Sequence, residues 1–393
     1  MEFTKRFDKI PPYLFAELNR LEAEKKAQGV DVISLGVGDP DTPTAPIVVD
    51  VMKKAVEKAE HHVYPPYAGT DLFRNSVSNY YKRRFGVDLD PGSEVLALLG
   101  SKEGIAHLSM AVLDPGDLLL VPDPGYPVYR TGAIFAGAQT YTMPLLKENN
   151  FLPDFGKIPE HTAYKAKMMF LNYPNNPTAA VANLDFYKEA VEFARKYGII
   201  LCSDNSYPET YFDCDPPPSI LSVEGAKDIA VEFYSLSKPY NMTGWRIAAL
   251  VGNREVVNAL TTFKKNIDSG TFTAIQEAGA YALDHCDEFV EEMREIYRRR
   301  MVKMVCALKE MGIDVEEPEA TFYIWAPTPD GMDSFKFTLE LLEKTGIIVS
   351  PGSGFGRYGE GFFRISLTIS DERIDEAVKR LKSVNLSGMK VVK

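Results

Sequence analysis

Five short apolar runs are spaced along the chain, and longer amphipathic segments separate them. Runs that are apolar throughout are typical of strands covered on both faces of a sheet. One separating segment, 184–198 (LDFYKEAVEFARKYG), has the spacing of an amphipathic helix. Strands that alternate with helices of this length predict βαβ units, so we expect an α/β fold with a mainly parallel sheet. The runs are VLALLG (95–100), DLLLVP (117–122), MMFLNY (168–173), GIILCSD (198–204) and AVEFYSLS (230–237).

The pattern changes near residue 286. Residues 286–312 predict one long amphipathic helix that ends at Gly312. Beyond it, shorter strand-like and helix-like segments alternate: TFYIWAP (321–327), 335–345, IIVSPGSGF (347–355), FFRISLT (362–368) and 371–384. We therefore predict a large α/β domain over 46–285. A smaller α+β domain combines 1–45 with 286–393. The glycine-rich GSGFG (352–356) is interpreted as a flexible turn.

Composition excludes several classes of protein. The chain of 393 residues has a formal net charge of −11, which disfavours nucleic-acid binding and docking on anionic lipid. The four cysteines form no C-x-x-C, and the five histidines show no metal-ligand spacing, so we expect neither a disulfide framework nor a metal site. The N-terminal residues have no hydrophobic signal core, and no apolar run reaches membrane-spanning length. A cytoplasmic protein is the resulting expectation.

Chemically useful side chains follow the strand-like runs at the points where the strands end. In parallel sheets, ligands bind beyond the carboxyl ends of the strands. A glycine and a serine open a helix after the first run, which suits a phosphate because free N–H groups point outward there. The residues that follow the five runs are Ser101, Tyr126, Asn176, Asp204 with Tyr207, and Ser235, Ser237 and Lys238 with Arg246 further on.

These groups together match the requirements of pyridoxal 5′-phosphate. A lysine amine condenses with an aldehyde once it is deprotonated. A carboxylate keeps a pyridine nitrogen protonated, and an arginine binds phosphate through paired hydrogen bonds. Each element alone also has an ordinary structural explanation: Asp204 can cap a helix, and the NNP of 175–177 can form a turn. The combination at all five strand ends favours the cofactor.

Three blocks of the sequence resemble a known family. NYPNNPT (172–178), SDNSY (203–207) and SLSKPYNMTGWRIA (235–248) are similar to the signature blocks of fold-type I, class I/II pyridoxal-phosphate aminotransferases. The similarity extends from PPYLF (11–15) to FFRISLT, and thus over nearly the whole chain. LGVGDPD, LGSKEGIAH and DPGYPVYR resemble the short bacterial and archaeal branch of LL-diaminopimelate aminotransferases. The resemblance implies a three-layer large domain and a small domain that closes over the active site.

The resemblance also implies residue roles at the cofactor. Lys238 forms the imine with the cofactor and then moves the substrate proton. Asp204 pairs with the pyridinium nitrogen, and Tyr126 stacks on the ring. Tyr207 and Asn176 hydrogen-bond the phenolic oxygen. The phosphate is surrounded by Ser101, Lys102, Ser235, Ser237 and Arg246.

Further implied roles concern the substrate and a second subunit. Arg364 binds the substrate α-carboxylate, helped by the Gly38 backbone and by Asn176. Tyr13 and Lys102 approach the rest of the substrate. Tyr64, in YPPYAG, reaches the phosphate of the neighbouring subunit, so the resemblance implies a homodimer with shared active sites. The substrates are a small amino acid and a keto acid, with LL-diaminopimelate and 2-oxoglutarate as the leading pair.

Two positions depart from the wider family pattern. Tyr67 stands where plant-type LL-diaminopimelate aminotransferases have a glutamate that helps hold the distal end of the substrate, although the short branch also has tyrosine there. Pro239 follows the lysine and restricts its backbone. We nevertheless expect Lys238 to form the imine.

Other functions remain open at this point. The same chemistry serves an aminotransferase for aspartate, alanine or aromatic amino acids with 2-oxoglutarate, and pocket detail decides between them. A pyridoxal-phosphate lyase acting on C–S bonds would share the lysine. A regulator built on this fold would need a DNA-binding domain, for which the chain has no basic patch. An NAD-dependent dehydrogenase is disfavoured because G-x-G-x-x-G fails at Asp41.

Overall fold

The structure is a computed structural model that describes residues 4–12 and 14–383. The strands are β1 (Ile33–Ser34), β2 (Val95–Leu98), β3 (Leu118–Asp123), β4 (Gln139–Pro144), β5 (Ala166–Asn172), β6 (Ile200–Asn205), β7 (Ala230–Ser235), β8 (Ala248–Gly252), β9 (Tyr323–Pro327), β10 (Ile347–Ile348), β11 (Ser350–Pro351) and β12 (Phe362–Ser366). The α-helices are α1 (Leu14–Ala27), α2 (Pro46–Val56), α3 (Asp71–Phe85), α4 (Ser101–Val112), α5 (Val128–Ala136), α6 (Glu160–Lys165), α7 (Leu184–Tyr197), α8 (Arg254–Lys265), α9 (Thr273–His285), α10 (Asp287–Glu310), α11 (Ser334–Thr345) and α12 (Asp371–Lys382). No helix in the described ranges has both the length and the apolar character needed to cross a bilayer.

A seven-stranded sheet forms the centre of the molecule, in the order β2-β8-β7-β6-β5-β3-β4. Strands β3 to β7 pair in parallel, whereas β8 runs antiparallel to both of its neighbours. The predicted α/β fold with a mainly parallel sheet is confirmed. All five predicted apolar runs are strands of this sheet.

Both faces of the sheet are covered, as the continuously apolar runs predicted. Along β5, Met169 and Leu171 belong to one hydrophobic core, and Met168 and Phe170 belong to another on the opposite face. This alternation follows from the period of two in a strand. Residues of α3, α7 and α9 contribute to the first core, and residues of α4, α5 and α8 to the second. The sheet is thus the middle of three layers.

Helix α7 shows how local sequence sets the element boundaries. The Asn183 side chain accepts a hydrogen bond from the Phe186 N–H, which caps the first turn. Gly198 ends the helix with φ of 69°, a left-handed conformation that glycine adopts at little cost. The predicted helix over 184–198 therefore matches the structure.

Two strands of the central sheet were missed. Strand β4 lies at the sheet edge and exposes Gln139 and Thr140, so it lacks a continuous apolar run. Strand β8 is a short AALVG segment that follows the lysine block after a turn. Its antiparallel direction comes from this close return, which leaves no room for a crossover helix.

The C-terminal part of the chain builds smaller sheets around a separate core. Strands β11, β12 and β9 form an antiparallel sheet, and β1 pairs in parallel with β10. Helix α10 covers 287–310, and Gly312 follows it with φ of 82°, close to the predicted end. Helices α10, α11 and α12 pack with these strands in one hydrophobic core.

The interpretation of GSGFG as a flexible turn is wrong. Gly352–Phe355 is a short 3-10 helix, and its glycines permit the close approach of neighbouring groups. A Cβ on Gly352 would clash with the Gly359 carbonyl, and one on Gly356 would clash with the Asp123 carboxylate. Asp123 in turn accepts a hydrogen bond from the Tyr358 N–H at 3.0 Å. The segment is therefore fixed against the end of β3.

Candidate active site

A cavity of ≈ 380 Å³ lies at the carboxyl ends of the central strands. Its walls come from the ends of β5, β6 and β7, from the start of α4 and from β9 and β12. The tertiary structure thus brings together residues far apart in sequence. The lining includes these predicted site residues: Gly38, Ser101, Lys102, Tyr126, Asn176, Asp204, Tyr207, Ser235, Ser237, Lys238, Arg246 and Arg364.

Lys238 lies in the turn directly after β7 and points its amine into this cavity. The Nζ donates a hydrogen bond to the Gly38 carbonyl at 2.8 Å. Burial, helped by the nearby positive charges of Arg364 and Arg246, lowers the pKa of Lys238 to about 8. The negative charge of Asp39 partly opposes this shift by raising the pKa. A lysine with this pKa supplies much more neutral amine near pH 7 than an exposed one, which suits it to attack a carbonyl carbon.

Asp204 is the buried carboxylate of the site, near the end of β6. Tyr129 Oη donates to its Oδ2 at 2.8 Å, and Ser206 Oγ donates to its Oδ1 at 2.6 Å. Burial raises the pKa of Asp204, and these two hydrogen bonds counteract the rise. A carboxylate in this setting can pair with a protonated ring nitrogen.

The start of α4 forms an anion-binding cradle. The Ser101 hydroxyl is buried and has no hydrogen-bond partner among the described residues, so the site has a donor available for a ligand. Gly100 adopts φ of 101°, and a Cβ there would clash with the Arg246 guanidinium. Arg246 has φ of 56° and its Nη1 donates to the Thr243 carbonyl at 2.7 Å. Guanidinium and helix N–H groups together suit a phosphate.

A charged cluster ties α4 to α8 behind this cradle. The Lys264 ammonium, 1 % exposed, lies 2.8 Å from carboxylate oxygens of both Glu103 and Asp268. His107 Nδ1 lies 2.7 Å from Glu103, and the second Glu103 oxygen accepts the Leu99 N–H at 3.0 Å. Glu103, His107 and Asp268 have the spacing of metal ligands, but Lys264 already brings a positive charge to both carboxylates. The cluster anchors the helix start rather than lining the cavity.

Arg364 is fully buried on β12 and faces the cavity. Its Nη1 donates to Asn176 Oδ1 at 2.6 Å and its Nη2 donates to the Gly36 carbonyl at 2.7 Å. The guanidinium carbon lies 4.1 Å from the ring centre of Tyr323 and 4.7 Å from that of Phe355. A guanidinium held in a fixed plane is suited to bidentate binding of a carboxylate. The polar face of this strand is therefore part of the site, not of the solvent-exposed surface.

Gly38 needs to be glycine for a steric reason. A Cβ at this position would clash with the Tyr323 hydroxyl. The segment around it is held by Ser366, whose N–H donates to the Leu35 carbonyl at 2.7 Å, and by Thr368, whose hydroxyl donates to the Val37 carbonyl at 3.0 Å. The backbone of this segment thus lies at the cavity wall beside Lys238.

Aromatic side chains form the remaining wall. The Tyr207 and Tyr323 hydroxyls are 3.2 Å apart. Tyr126 follows β3, and the Lys102 ammonium lies 5.9 Å from its ring centre. A flat ring could bind against Tyr126, between the buried carboxylate and the lysine. The residues present therefore fit a phosphorylated pyridine aldehyde.

Two predicted site residues are not placed in this cavity. Tyr64 is 85 % exposed and does not line it. Tyr13 lies outside the described residues. Sequence reasoning in turn missed Tyr129, Ser206 and Tyr323. Ser206 stands between Asp204 and Tyr207 in a block that was already noted, whereas only the tertiary structure reveals the other two.

Comparisons with known proteins agree with this geometry. Residues 30–381 match the family model described as aminotransferase class I and II. The chain is 54% identical over 385 residues to LL-diaminopimelate aminotransferase from Aquifex aeolicus, covering 98% of this chain and 100% of that protein. The enzyme of the same name from Moorella thermoacetica is 51% identical over 98% of each chain. Among solved structures, substrate-bound BacF from Bacillus subtilis has a TM-score of 0.94 and 39% identity over 98% of both chains.

Proposed function

The chain belongs to the class I and II aminotransferases, and we propose that it transfers the amino group of LL-diaminopimelate to 2-oxoglutarate. Enzymes of this family use pyridoxal phosphate, which supplies an aldehyde that condenses with amines and a ring that withdraws electrons from the amino acid α-carbon. The chemistry is best supported by one observation: the low-pKa Lys238 amine and the buried Asp204 carboxylate share a single cavity.

At the cofactor, each proposed role follows from a position in the cavity. Asp204 would keep the ring nitrogen protonated, and Tyr126 would hold the ring face. Ser101, at the start of α4, and Arg246 would bind the phosphate. Lys102, Ser235 and Ser237 line the same cavity. Tyr207 would donate to the phenolic oxygen.

At the substrate, Lys238 would take the proton from the α-carbon and deliver it to the cofactor carbon that carries the aldehyde. Arg364 would bind the α-carboxylate through its fixed guanidinium. Asn176 already accepts from Arg364 through Oδ1, so its amide nitrogen is left to donate to the phenolic oxygen of the cofactor. The Gly38 backbone lies where it can help hold the carboxylate.

The choice of LL-diaminopimelate rests on the relatives, which carry that name at about half identity over nearly the full chain. The distal end of such a substrate carries both an ammonium and a carboxylate. Lys102 lines the cavity and could meet the carboxylate. Tyr13, which was predicted to lie near the same end, is outside the described residues. Tyr67, the residue in place of the plant glutamate, is 47% exposed and does not line the cavity of its own chain.

The visible spectrum of the pyridoxal-phosphate-loaded enzyme tests this substrate. LL-diaminopimelate added alone should convert the yellow form to the colourless pyridoxamine form, whereas aspartate, alanine and phenylalanine should convert it at least about a hundredfold more slowly, because they lack the paired distal groups. L-2-Aminopimelate lacks the distal amine and L-lysine lacks the distal carboxylate, so the two show which distal group is required.

Fast conversion by aspartate or alanine, with none by LL-diaminopimelate, would replace the proposal with a general aminotransferase. Steady release of a thiol, pyruvate and ammonia from an S-substituted cysteine, with no keto-acid acceptor added and no build-up of the pyridoxamine form, would indicate a lyase. The Lys238→Ala variant serves as the blank: an amino acid can still condense with the bound aldehyde, but without the lysine that moves the α-proton no pyridoxamine form should build up in any mixture.

A homodimer with shared active sites is part of the proposal. Val63 and Tyr64 are 67% and 85% exposed, which is unusual for adjacent large apolar side chains. The following residues pack on Gly270, and Ile267 nearby is 60% exposed. A second copy of the chain would cover this surface and would bring Tyr64 to the phosphate of the opposite site.

Mixing two defective variants tests the shared site. Tyr64→Ala should release pyridoxal phosphate readily and Lys238→Ala should be inactive, but a hybrid dimer contains one site with both native residues. Refolding an equal mixture should therefore restore about a quarter of wild-type activity, since about half of the dimers are hybrids with one intact site. Activity that stays at the level of the separate variants would show that Tyr64 serves its own subunit or none.

We also propose two domains, residues 46–285 and the described parts of 1–45 and 286–393. Two hydrophobic cores flank the central sheet, and a third joins α10, α11 and α12 to β9 and β12. Arg300 supports the second domain, since its guanidinium binds Asp41 at 2.7 Å and Asp371 at 2.6 Å and so ties both ends of the chain to α10. The domain that carries Arg364 could then close on the domain that carries Lys238.

A cytoplasmic location is also part of the proposal. All four cysteines are free thiols. Chains that function in oxidising compartments more often carry disulfides.

A further inference from the structure

Tyr129 is a buried residue that contacts the site without lining its cavity. It lies on α5, is 1 % exposed, and its ring stacks on Phe170 with centroids 4.9 Å apart and planes at 21°. Its ring and that of Tyr126 are arranged edge to face, with centroids 6.1 Å apart and planes at 82°. These contacts hold the phenol in one orientation, with its hydroxyl 2.8 Å from Asp204 Oδ2.

The two oxygens of Asp204 are each bound by one hydroxyl. Tyr129 donates to Oδ2, and Ser206 donates to Oδ1. A carboxylate oxygen accepts two hydrogen bonds, so both oxygens keep one acceptor position for a further donor. Asp204 and Ser206 line the cavity, whereas Tyr129 lines a neighbouring one. The carboxylate therefore lies at the cavity wall and is bound by one hydroxyl from a lining residue and one from a residue outside the lining.

Both hydroxyls stabilise the charged form of Asp204. Without them, burial alone would favour the neutral acid, because a carboxylate loses its hydration there. Burial and the adjacent Asp204 also raise the pKa of Tyr129 well above its usual range. Tyr129 therefore remains a neutral donor at any working pH, and it adds no charge of its own next to the cofactor.

We propose that Tyr129 and Ser206 are positioning residues that keep Asp204 ionised and oriented, and that through Asp204 they set how strongly the cofactor ring nitrogen holds its proton. The inference deepens the proposed function and rests on the placement of that nitrogen beside Asp204. Removing a donor makes Asp204 more basic, so the shared proton moves from the ring nitrogen toward the carboxylate. A less positive ring in turn makes the imine nitrogen at Lys238 easier to protonate.

Tyr129→Phe tests the inference because it removes the hydroxyl and keeps the stacked ring. One hydrogen bond to a charged group corresponds to about one to two pH units at Asp204 itself. With pyridoxal phosphate bound, we expect about half of this effect to reach the imine through the ring, so the pH titration of the visible band should move up by about half to one pH unit. With ¹⁵N-labelled cofactor, the ring-nitrogen signal should move toward the unprotonated value. Combining Tyr129→Phe with Ser206→Ala should increase both changes.

Tyr81→Phe is the matched control. Tyr81 is also fully buried, and its hydroxyl donates to a buried carboxylate, Glu232, at 2.9 Å, but neither residue lines the cavity. This variant should lose similar stability and leave both spectroscopic signals at the wild-type values. The charged groups that face the cavity, Asp39, Lys102, Lys238, Arg246 and Arg364, are the same in all variants.

Failure of this inference and failure of the proposed pyridoxal-phosphate-dependent function give different results. If Tyr129→Phe leaves both signals unchanged, or if Tyr81→Phe moves them equally, the inference is wrong. If the wild-type protein shows no visible band with pyridoxal phosphate supplied, the proposed function fails first. Should Tyr129→Phe not fold, Ser206→Ala carries the same prediction with a smaller change in packing, and its unchanged spectrum would overturn the inference.

Discussion

Replacing Lys238 by alanine should abolish the imine band of the pyridoxal-phosphate-bound protein, leaving the absorption of the free aldehyde, and lower the transamination rate by at least about 10⁴-fold. The variant loses both the amine that holds the cofactor aldehyde and the base that moves the α-proton. The cradle at Ser101 and Arg246 and the carboxylate of Asp204 remain, so the cofactor should still bind without a covalent link. Absorption spectra and single-turnover rates measure the two losses separately.

Added methylamine provides the control for this variant. A small amine can enter the cavity that the lysine side chain leaves and should restore part of the proton-transfer rate in proportion to its concentration. Unfolding curves should match those of the wild-type protein, since the Lys238 amine makes one hydrogen bond, to Gly38. A variant that retains the band and the rate would remove Lys238 from the proposed mechanism.

Replacing Arg364 by glutamine should raise KM for the amino donor by about 10²–10³-fold and change kcat much less, because loss of one partner of a buried charge pair costs about 2–5 kcal/mol. The structure explains why the expected rise in KM is large. The guanidinium is fully buried and is fixed by Asn176, Gly36 and two aromatic rings, so water cannot replace it. Steady-state kinetics with LL-diaminopimelate measure the change.

The comparison between an amino acid and its decarboxylated amine tests the same residue more directly. The wild-type enzyme should prefer the amino acid strongly, and Arg364→Gln should lose most of that preference. Arg357→Gln is the control, since that arginine follows Phe355 by two residues, is exposed and donates through its guanidinium to the Tyr358 hydroxyl. An unchanged preference in Arg364→Gln would mean that the α-carboxylate binds elsewhere.

Much of the fold was predictable because the signal is local. Strands that are apolar at every position must be buried on both faces of their sheet, and the structure has one hydrophobic core on each face. The edge strand β4 was missed because two of its six residues, Gln139 and Thr140, are exposed and polar, so its sequence shows no continuous apolar run. GSGFG was misinterpreted because glycine content alone does not separate a flexible turn from a close backbone contact such as that between Gly352 and Gly359.

For the site, the chain by itself determined which chemical groups follow the strand ends, since parallel strands bring their carboxyl ends to one edge. It therefore predicted that Lys238, Asp204, Asn176 and Ser101 would meet. Only the tertiary structure decided the surroundings of these groups. The buried partners of Asp204, the burial that lowers the pKa of Lys238, and the rings around Arg364 come from elements distant in sequence. Desolvation and hydrogen-bond geometry depend on these long-range contacts, and no local pattern encodes them.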